Sequence, residues 1–325
     1  MTILNSGLDF DQGANLVFVG GSPRSGTTML QNMLDCHPDI AGGPEFDRVP
    51  DVVALRNMLM NSIDNGRISV FLTKDEVDRE IGYFIERLFA PYTRKRNRRI
   101  LSEKTPWNVL HFTALLEIFP SAKFIFCVRD PRAVVSSMLQ VGKRAQSSKT
   151  APDFTRKIGC AISMVKRCNQ MGFRALRENP DRVLLVQYEE LVAAPEKMTQ
   201  QICGFLGILW NSEMLTPEKK KHDGEVGVDG VWYNKEMYYR APESSRVESW
   251  RNEISTMQHI IVATAFKDDA DLKTAGYVFS REQLPTWTKI LEKLVSLVYD
   301  GSRWLKWRFN QIRSLSNHTS RNSKV

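Results

Sequence analysis

The feature that most constrains this chain lies near its start. There the apolar run Leu16-Val17-Phe18-Val19 stops at Gly20-Gly21 and gives way to Ser22-Pro23-Arg24-Ser25-Gly26-Thr27-Thr28. From Thr27 to Leu34, the apolar residues Met29, Leu30, Met33 and Leu34 recur at helical spacing. A strand that ends in a glycine turn and enters a helix directly points backbone N–H groups and the positive helix end at one spot, which suits an anion. The two glycines Gly21 and Gly26 have the spacing of a phosphate-binding P-loop, but the next residue is Thr27 and not the lysine that reaches the β- and γ-phosphates of a triphosphate. Arg24 supplies positive charge from inside the loop instead. An anion is expected here, and ATP or GTP hydrolysis loses its main cation.

Similar units follow. Ala122 to Val128, with Phe124, Ile125, Phe126 and Cys127, reads as a buried strand, and after Arg129-Asp130-Pro131 a helix is expected from Arg132, Pro131 suiting the first turn. Arg182 to Gln187 reads as a third strand, leading through Tyr188-Glu189-Glu190-Leu191 to a helix that contains Met198 to Leu206. A short strand is expected over Arg99 to Ser102, helices over Val52 to Asn61 and Lys74 to Phe89, and a basic loop over Thr93 to Arg99. Strands alternating with helices predict an α/β fold, a P-loop-type parallel sheet flanked by helices, with ligands at the carboxyl ends of the strands. The stretch from Gly224 to Arg246 reads as a long functional loop.

Composition narrows the function classes. The chain has 325 residues, 42% hydrophobic and 25% charged, with a net charge of +8, which suits a globular protein with anionic ligands. Five scattered cysteines, Cys36, Cys127, Cys160, Cys168 and Cys203, form no CxxC pair, so neither a zinc site nor a disulfide framework is expected. No secretory signal and no apolar membrane span are apparent, which predicts a cytoplasmic protein. No basic motif interleaved with aromatics appears, so nucleic acid is not an expected partner.

The motif set is more specific than any one loop. The segment GGSPRSGTTML resembles the 5′-phosphosulfate loop of the sulfotransferases that use 3′-phosphoadenosine 5′-phosphosulfate (PAPS), and LDCHPDIAGGPE is most similar to the tyrosylprotein sulfotransferases and their bacterial relatives. SEKTPWN resembles the segment that carries the family's catalytic lysine, FIFCVRDPRAVVSSML resembles its 3′-phosphate motif, and VQYEELVAAPE resembles a further segment on the nucleotide side. The resemblance runs from Val17 to Tyr277. It implies the sulfotransferase fold, PAPS as donor, and transfer of its sulfuryl group to an acceptor hydroxyl without a metal. It also implies residue roles: Glu45 as general base, Lys104 at the leaving oxygen, and Arg24, Ser25, Gly26, Thr27 and Thr28 around the phosphosulfate. Arg129 and Ser137 would hold the 3′-phosphate, Tyr188 would lie beside the nucleotide, and Lys235 and Arg240 would close over it. Trp250 matches a tryptophan that follows that region.

Secretory members of the family carry a membrane anchor and a cysteine pair near the base and the lysine; this chain has Gly42 and Ser102 at those positions and shows no anchor. A basic residue that grips the peptide is replaced by Asp47, while Arg48 and Pro50 keep part of the pattern, so the acceptor class stays open among peptide tyrosine, sugar, lipid head group and small phenol. His37 is a rival base, but its place at the expected end of the first helix marks it as a capping or packing histidine. Glu189-Glu190 read as a polar loop beside the sheet. Two other readings stand beside the enzyme: a P-loop kinase for a small molecule, and an inactive nucleotide-fold protein docking on anionic membranes or partners, for which Arg94-Lys95-Arg96-Asn97-Arg98-Arg99 is the candidate surface.

A sulfotransferase domain is expected over residues 1–280 and a basic amphipathic helical tail over residues 281–325. In the tail Trp287, Leu291, Leu294, Val298, Leu305, Phe309 and Ile312 form an apolar stripe beside Lys289, Lys293, Arg303, Lys306, Arg308 and Arg313, with Trp304 and Trp307. Such a helix either packs on the domain or makes a peripheral contact with anionic lipid.

Overall fold

The computed structural model describes residues 12–145, 151–222 and 241–279. The chain forms two compact units, Met1–Trp250 and Arg251–Val325. The expected division after residue 280, the tail, and Lys235 and Arg240 lie outside the described residues.

The first unit is built on five parallel strands: β1 (Leu16–Gly21), β2 (Ile40–Gly42), β3 (Ile100–Lys104), β4 (Lys123–Val128) and β5 (Val183–Gln187), in the order β2-β3-β1-β4-β5. Around it lie α1 (Thr27–Cys36), α2 (Val49–Asp64), α3 (Lys74–Arg96), α4 (Phe112–Ile118), α5 (Pro131–Arg144), α6 (Asp153–Arg156), α7 (Ile158–Glu178), α8 (Tyr188–Ala193) and α9 (Pro195–Leu206). Successive side chains of a strand point to opposite faces, so β1 feeds two cores. Val17 and Val19 join Leu30, Met33 and Leu34 of α1 and Ile202 of α9 on one face. Phe18 stacks on Phe124 and meets Phe119 at a tilt, both at 5.4 Å, on the other, and Phe112 meets Phe124 edge-on at 5.1 Å. Strands covered on both faces are continuously apolar, as LVFV and FIFCV are.

Three local features depart from expectation. The basic segment from Thr93 is helical as far as Arg96: a capping box of Thr73 and Glu76 starts α3, and Asn97, in the left-handed region at φ 49°, ends it. Arg94, Lys95 and Arg96 thus occupy the last turn, where cations complement the negative helix end. Glu189 and Glu190 lie in the short helix α8, and Glu189 Oε1 accepts from the Asp130 amide at 2.9 Å, so this acidic pair is partly structural and not a solvated loop. The three-residue β2 is an edge strand where no strand was expected.

The second unit has capped helices over Thr256–Phe266 and Ala270–Thr274, the first opened by a Ser255/Gln258 capping box and the second by the Asp269 side chain. Among the described residues no helix is long and apolar enough to cross a membrane.

Candidate active site

All five strands deliver site residues from their carboxyl ends. β1 ends at Gly21 and opens the loop; β3 ends on Lys104; β4 and β5 are followed directly by Arg129 and Tyr188; and the segment beyond β2 carries Glu45. This is the edge where parallel α/β sheets bind ligands.

The loop is shaped by its backbone. Arg24 and Gly26 both have positive φ, 76° and 99°, and Gly26 is the N-cap of α1 with no side chain capping the helix. A β-carbon at Gly26 would run into the Tyr188 ring, so glycine is needed both for conformation and for this close approach. Tyr188 in turn lies under Arg129, whose guanidinium sits 4.2 Å from the ring centroid. Arg129 donates to the carbonyls of Arg24 at 3.3 Å and Arg246 at 2.8 Å, and Arg24 Nε donates to Ser137 Oγ at 3.0 Å. Loop, β4, α5 and β5 therefore converge on one cluster of polar groups.

Its electrostatics favour an anion. Burial pulls the Arg129 guanidinium below its usual range; Tyr188 and Glu189 oppose that, and the like charges of Arg24 and Arg246 add to it. Three guanidinium groups crowding one another gain from a bound polyanion. Ser25 Oγ and Arg129 Nε are buried without a hydrogen-bond partner among the described residues, donors that a phosphate oxygen would satisfy. Arg246 was not singled out in the sequence, where nothing marks it apart from neighbouring cations.

On the other side of the loop, Lys104 Nζ lies 2.5 Å from Glu45 Oε1 and 3.3 Å from Thr28 Oγ1. The lysine side chain is 7% exposed and that of Glu45 40%, so the cation is buried and the carboxylate opens to solvent. Gln31 of α1 binds Ser102 twice, donating to its carbonyl at 2.8 Å and accepting from its hydroxyl at 2.6 Å, which fixes β3 against the loop helix. Gly42 and Ser102, at the positions of the family's cysteine pair, are register partners across β2 and β3.

Other titratable groups are occupied. The His37 Nδ1 accepts from the Asp39 amide at 3.1 Å, which leaves Nε2 to donate to the Leu209 carbonyl at 2.7 Å; its own amide caps α1. It is a buried capping histidine, as expected. Glu103, beside Lys104, was not expected in any role: it is 4% exposed, and burial pushes its carboxyl up to about 7 against the opposing pull of Thr105, Asn108, the Phe46 amide and Lys104. Asp47 and Asp51 both bind Arg48 at the exposed start of α2. Arg132 is held by Asp130 and stacks over Trp250 at 4.5 Å, which accounts for that tryptophan as a support for the β4–α5 turn.

Comparison with known proteins identifies the family. Residues 16–212 match the model of the Sulfotransferase family. Protein-tyrosine sulfotransferase 1 of Danio rerio is 34% identical over 206 residues, 63% of this chain and 56% of that protein. The protein-tyrosine sulfotransferase of Drosophila melanogaster is 32% identical over 217 residues, 63% of this chain and 40% of that protein. The chain spans about half the length of the curated relatives it matches. Among solved structures, the sulfotransferase domain from the Synechococcus PCC 7002 olefin synthase superposes with a TM-score of 0.51 at 25% identity, covering 74% of this chain and 88% of that one. With more than half of its length matched by the family model, the chain belongs to the sulfotransferase family.

Proposed function

We propose that the chain transfers a sulfuryl group from PAPS to an acceptor hydroxyl, with Glu45 as general base. The observation that carries this reading is the pairing of Glu45 with the buried Lys104 at 2.5 Å, beside Thr28 in the first turn of α1. An activated sulfuryl group on an anionic leaving oxygen is what PAPS would supply.

The chain's own residues account for the rest. The loop from Ser22 to Thr28 and Arg24 hold the phosphosulfate; Arg129, with Ser137 and Arg246 close by, takes the 3′-phosphate, and Tyr188 flanks the nucleotide. Glu45 accepts the acceptor's proton as that oxygen bonds to sulfur and the bond from sulfur to the bridging oxygen breaks. Lys104 then meets the charge that grows on the departing oxygen, where a fixed cation in a water-poor site acts most strongly. Glu45 is the carboxylate available for proton transfer: Glu103 is enclosed by three donors, and Asp35 is buried among cations. Thr27 in place of a lysine after Gly26 argues against a kinase.

Purified protein, sulfur-labelled PAPS and a panel of a tyrosine peptide, a sugar, a lipid head group and a simple phenol test both activity and acceptor class. Glu45→Gln should lose turnover by about 10²–10⁴-fold, the usual worth of a general base, while keeping its affinity for 3′-phosphoadenosine 5′-phosphate (PAP) in calorimetry. Near-normal turnover of this variant would remove Glu45 from the mechanism.

A further inference from the structure

Glu45 stands on an irregular segment between β2 and α2, and a base must be held to within a fraction of an ångström to be useful. Lys104 holds its carboxylate on one face of β3. What holds its backbone comes from the opposite face, because Glu103, the adjacent residue, points the other way.

We propose that Glu103 is a positioning residue for the base: its carboxylate anchors the backbone immediately after Glu45 and ties it to the end of β3. The Phe46 amide donates to Glu103 Oε1 at 3.0 Å, and the Thr105 hydroxyl donates to the same oxygen at 2.7 Å. The Asn108 side-chain amide donates to Oε2. Glu103 thus joins the base segment, the β3 terminus and the 3-10 turn Pro106–His111 through one buried carboxyl. The Phe46 ring packs edge-on against Phe89 of α3 at 5.1 Å, so the residue after the base is fixed at both backbone and side chain. This role rests on the reading of Glu45 as base.

Two mild substitutions separate reach from charge. Glu103→Gln keeps the length: its amide oxygen accepts from Phe46 and Thr105, and its NH2 group faces Asn108, whose Oδ1 is buried without a partner among the described residues and accepts once that amide turns over, at the expense of the long 3.4 Å bond from Asn108 to the Val19 carbonyl. Glu103→Asp keeps the charge but is one methylene shorter and withdraws from the Phe46 amide. Using the fastest acceptor of the four-class panel, kcat of the Gln variant should stay within about threefold of the parent, while kcat of the Asp variant should fall by at least about tenfold. PAP affinity of both should stay within about twofold, since neither touches the nucleotide loop. In a Glu45→Gln background, Glu103→Asp should have no further effect, because no base remains to be positioned.

An Asp variant as fast as the Gln variant would overturn the proposal. So would a loss of PAP affinity that parallels the loss of kcat, or additive effects of the two substitutions. Failure of the base assignment itself would show separately, as normal turnover of Glu45→Gln alone.

Discussion

At the scale of single residues, neighbours in sequence can have opposite environments. Lys104 and Glu103 are adjacent on β3, yet one meets Glu45 and the other is walled off with its carboxyl raised to about 7 from an ordinary 4.5. A carboxyl whose folded value is raised favours folding fully below its unfolded value, and that contribution is lost as pH rises through the folded value. The stability attributable to Glu103 should therefore decline between about pH 4.5 and 7 and stay flat above, by roughly 3 kcal/mol in total at 1.36 kcal/mol per unit. Glu103→Gln has no such titration, so the stability difference between variant and parent should move in favour of the variant over that window. Urea unfolding at pH 5 and pH 8 checks it; an unchanged difference would mean that Glu103 is already ionised in the folded state at pH 5. The sequence did not mark Glu103, because SEKT reads as a polar strand end, and only the approach of the Phe46 and Asn108 donors makes a buried acid there workable. Motif order singles out Glu45, Lys104 and Arg24, whereas the 2.5 Å pairing of Glu45 with Lys104 appears only in the fold.

At the scale of elements, strand ends made the fold legible. Three of the five strands follow from apolar runs bounded by turn residues, the short strand expected over Arg99 to Ser102 runs over Ile100–Lys104, and the loop after β1 follows from glycine spacing. The edge strand β2 was missed because Ile40-Ala41-Gly42 is too short to carry a periodic signal; its pairing with β3 is a tertiary effect. Helix α3 likewise runs on to Arg96, beyond the helix expected to Phe89. Pro91 and a run of basic residues resemble a break, but Pro91 is on the exposed face, and the Thr93 hydroxyl donates back to the Ala90 carbonyl at 3.0 Å inside a continuing helix. The same element ends assemble the nucleotide cluster, from the loop, β4, α5 and β5. Since Arg129 and Ser137 reach that cluster from elements other than the 5′-phosphate loop, PAP should bind at least about tenfold more tightly than AMP, the worth of one or two charge-assisted hydrogen bonds. Calorimetry with both nucleotides decides it; equal affinities would dissociate Arg129 from a 3′-phosphate, and a preference for ATP with magnesium would favour the kinase reading.

At the scale of the whole molecule, one buried acid inside the LDCHPDIAGGPE motif, to which the sequence assigns no role, joins distant elements of the first unit. Asp35, 1% exposed near the end of α1, accepts from the Gly42 amide of β2 at 2.9 Å and Arg96 of α3 at 2.8 Å, and meets His222 Nδ1 at 2.8 Å. Lys220 approaches the same carboxylate at 3.7 Å, so residues far apart in sequence meet at a single group. Burial alone would raise this carboxyl, but the His222 hydrogen bond, the charges of Lys220 and Arg96 and the Gly42 amide together hold it below its ordinary 3.8. A depressed acid contributes stability above its unfolded value that is lost as pH falls through the folded one, so this hub should weaken only in strong acid, below about pH 4. Removing the carboxylate is a different matter, since it leaves the partly buried Arg96 and Lys220 facing one another and takes away the group that His222 Nδ1 meets. Asp35→Ala should cost about 3–5 kcal/mol at neutral pH, the range for breaking one side of a buried charged cluster. Adding His222→Ala to that variant should restore part of the loss, because one stranded imidazole is removed with its partner. Urea denaturation of the two variants beside the parent makes the comparison. A loss below about 1 kcal/mol for Asp35→Ala, within the range of ordinary surface ion pairs, would show that the cations find water once the carboxylate is gone and that α1, β2, α3 and the segment around His222 are held by apolar packing instead.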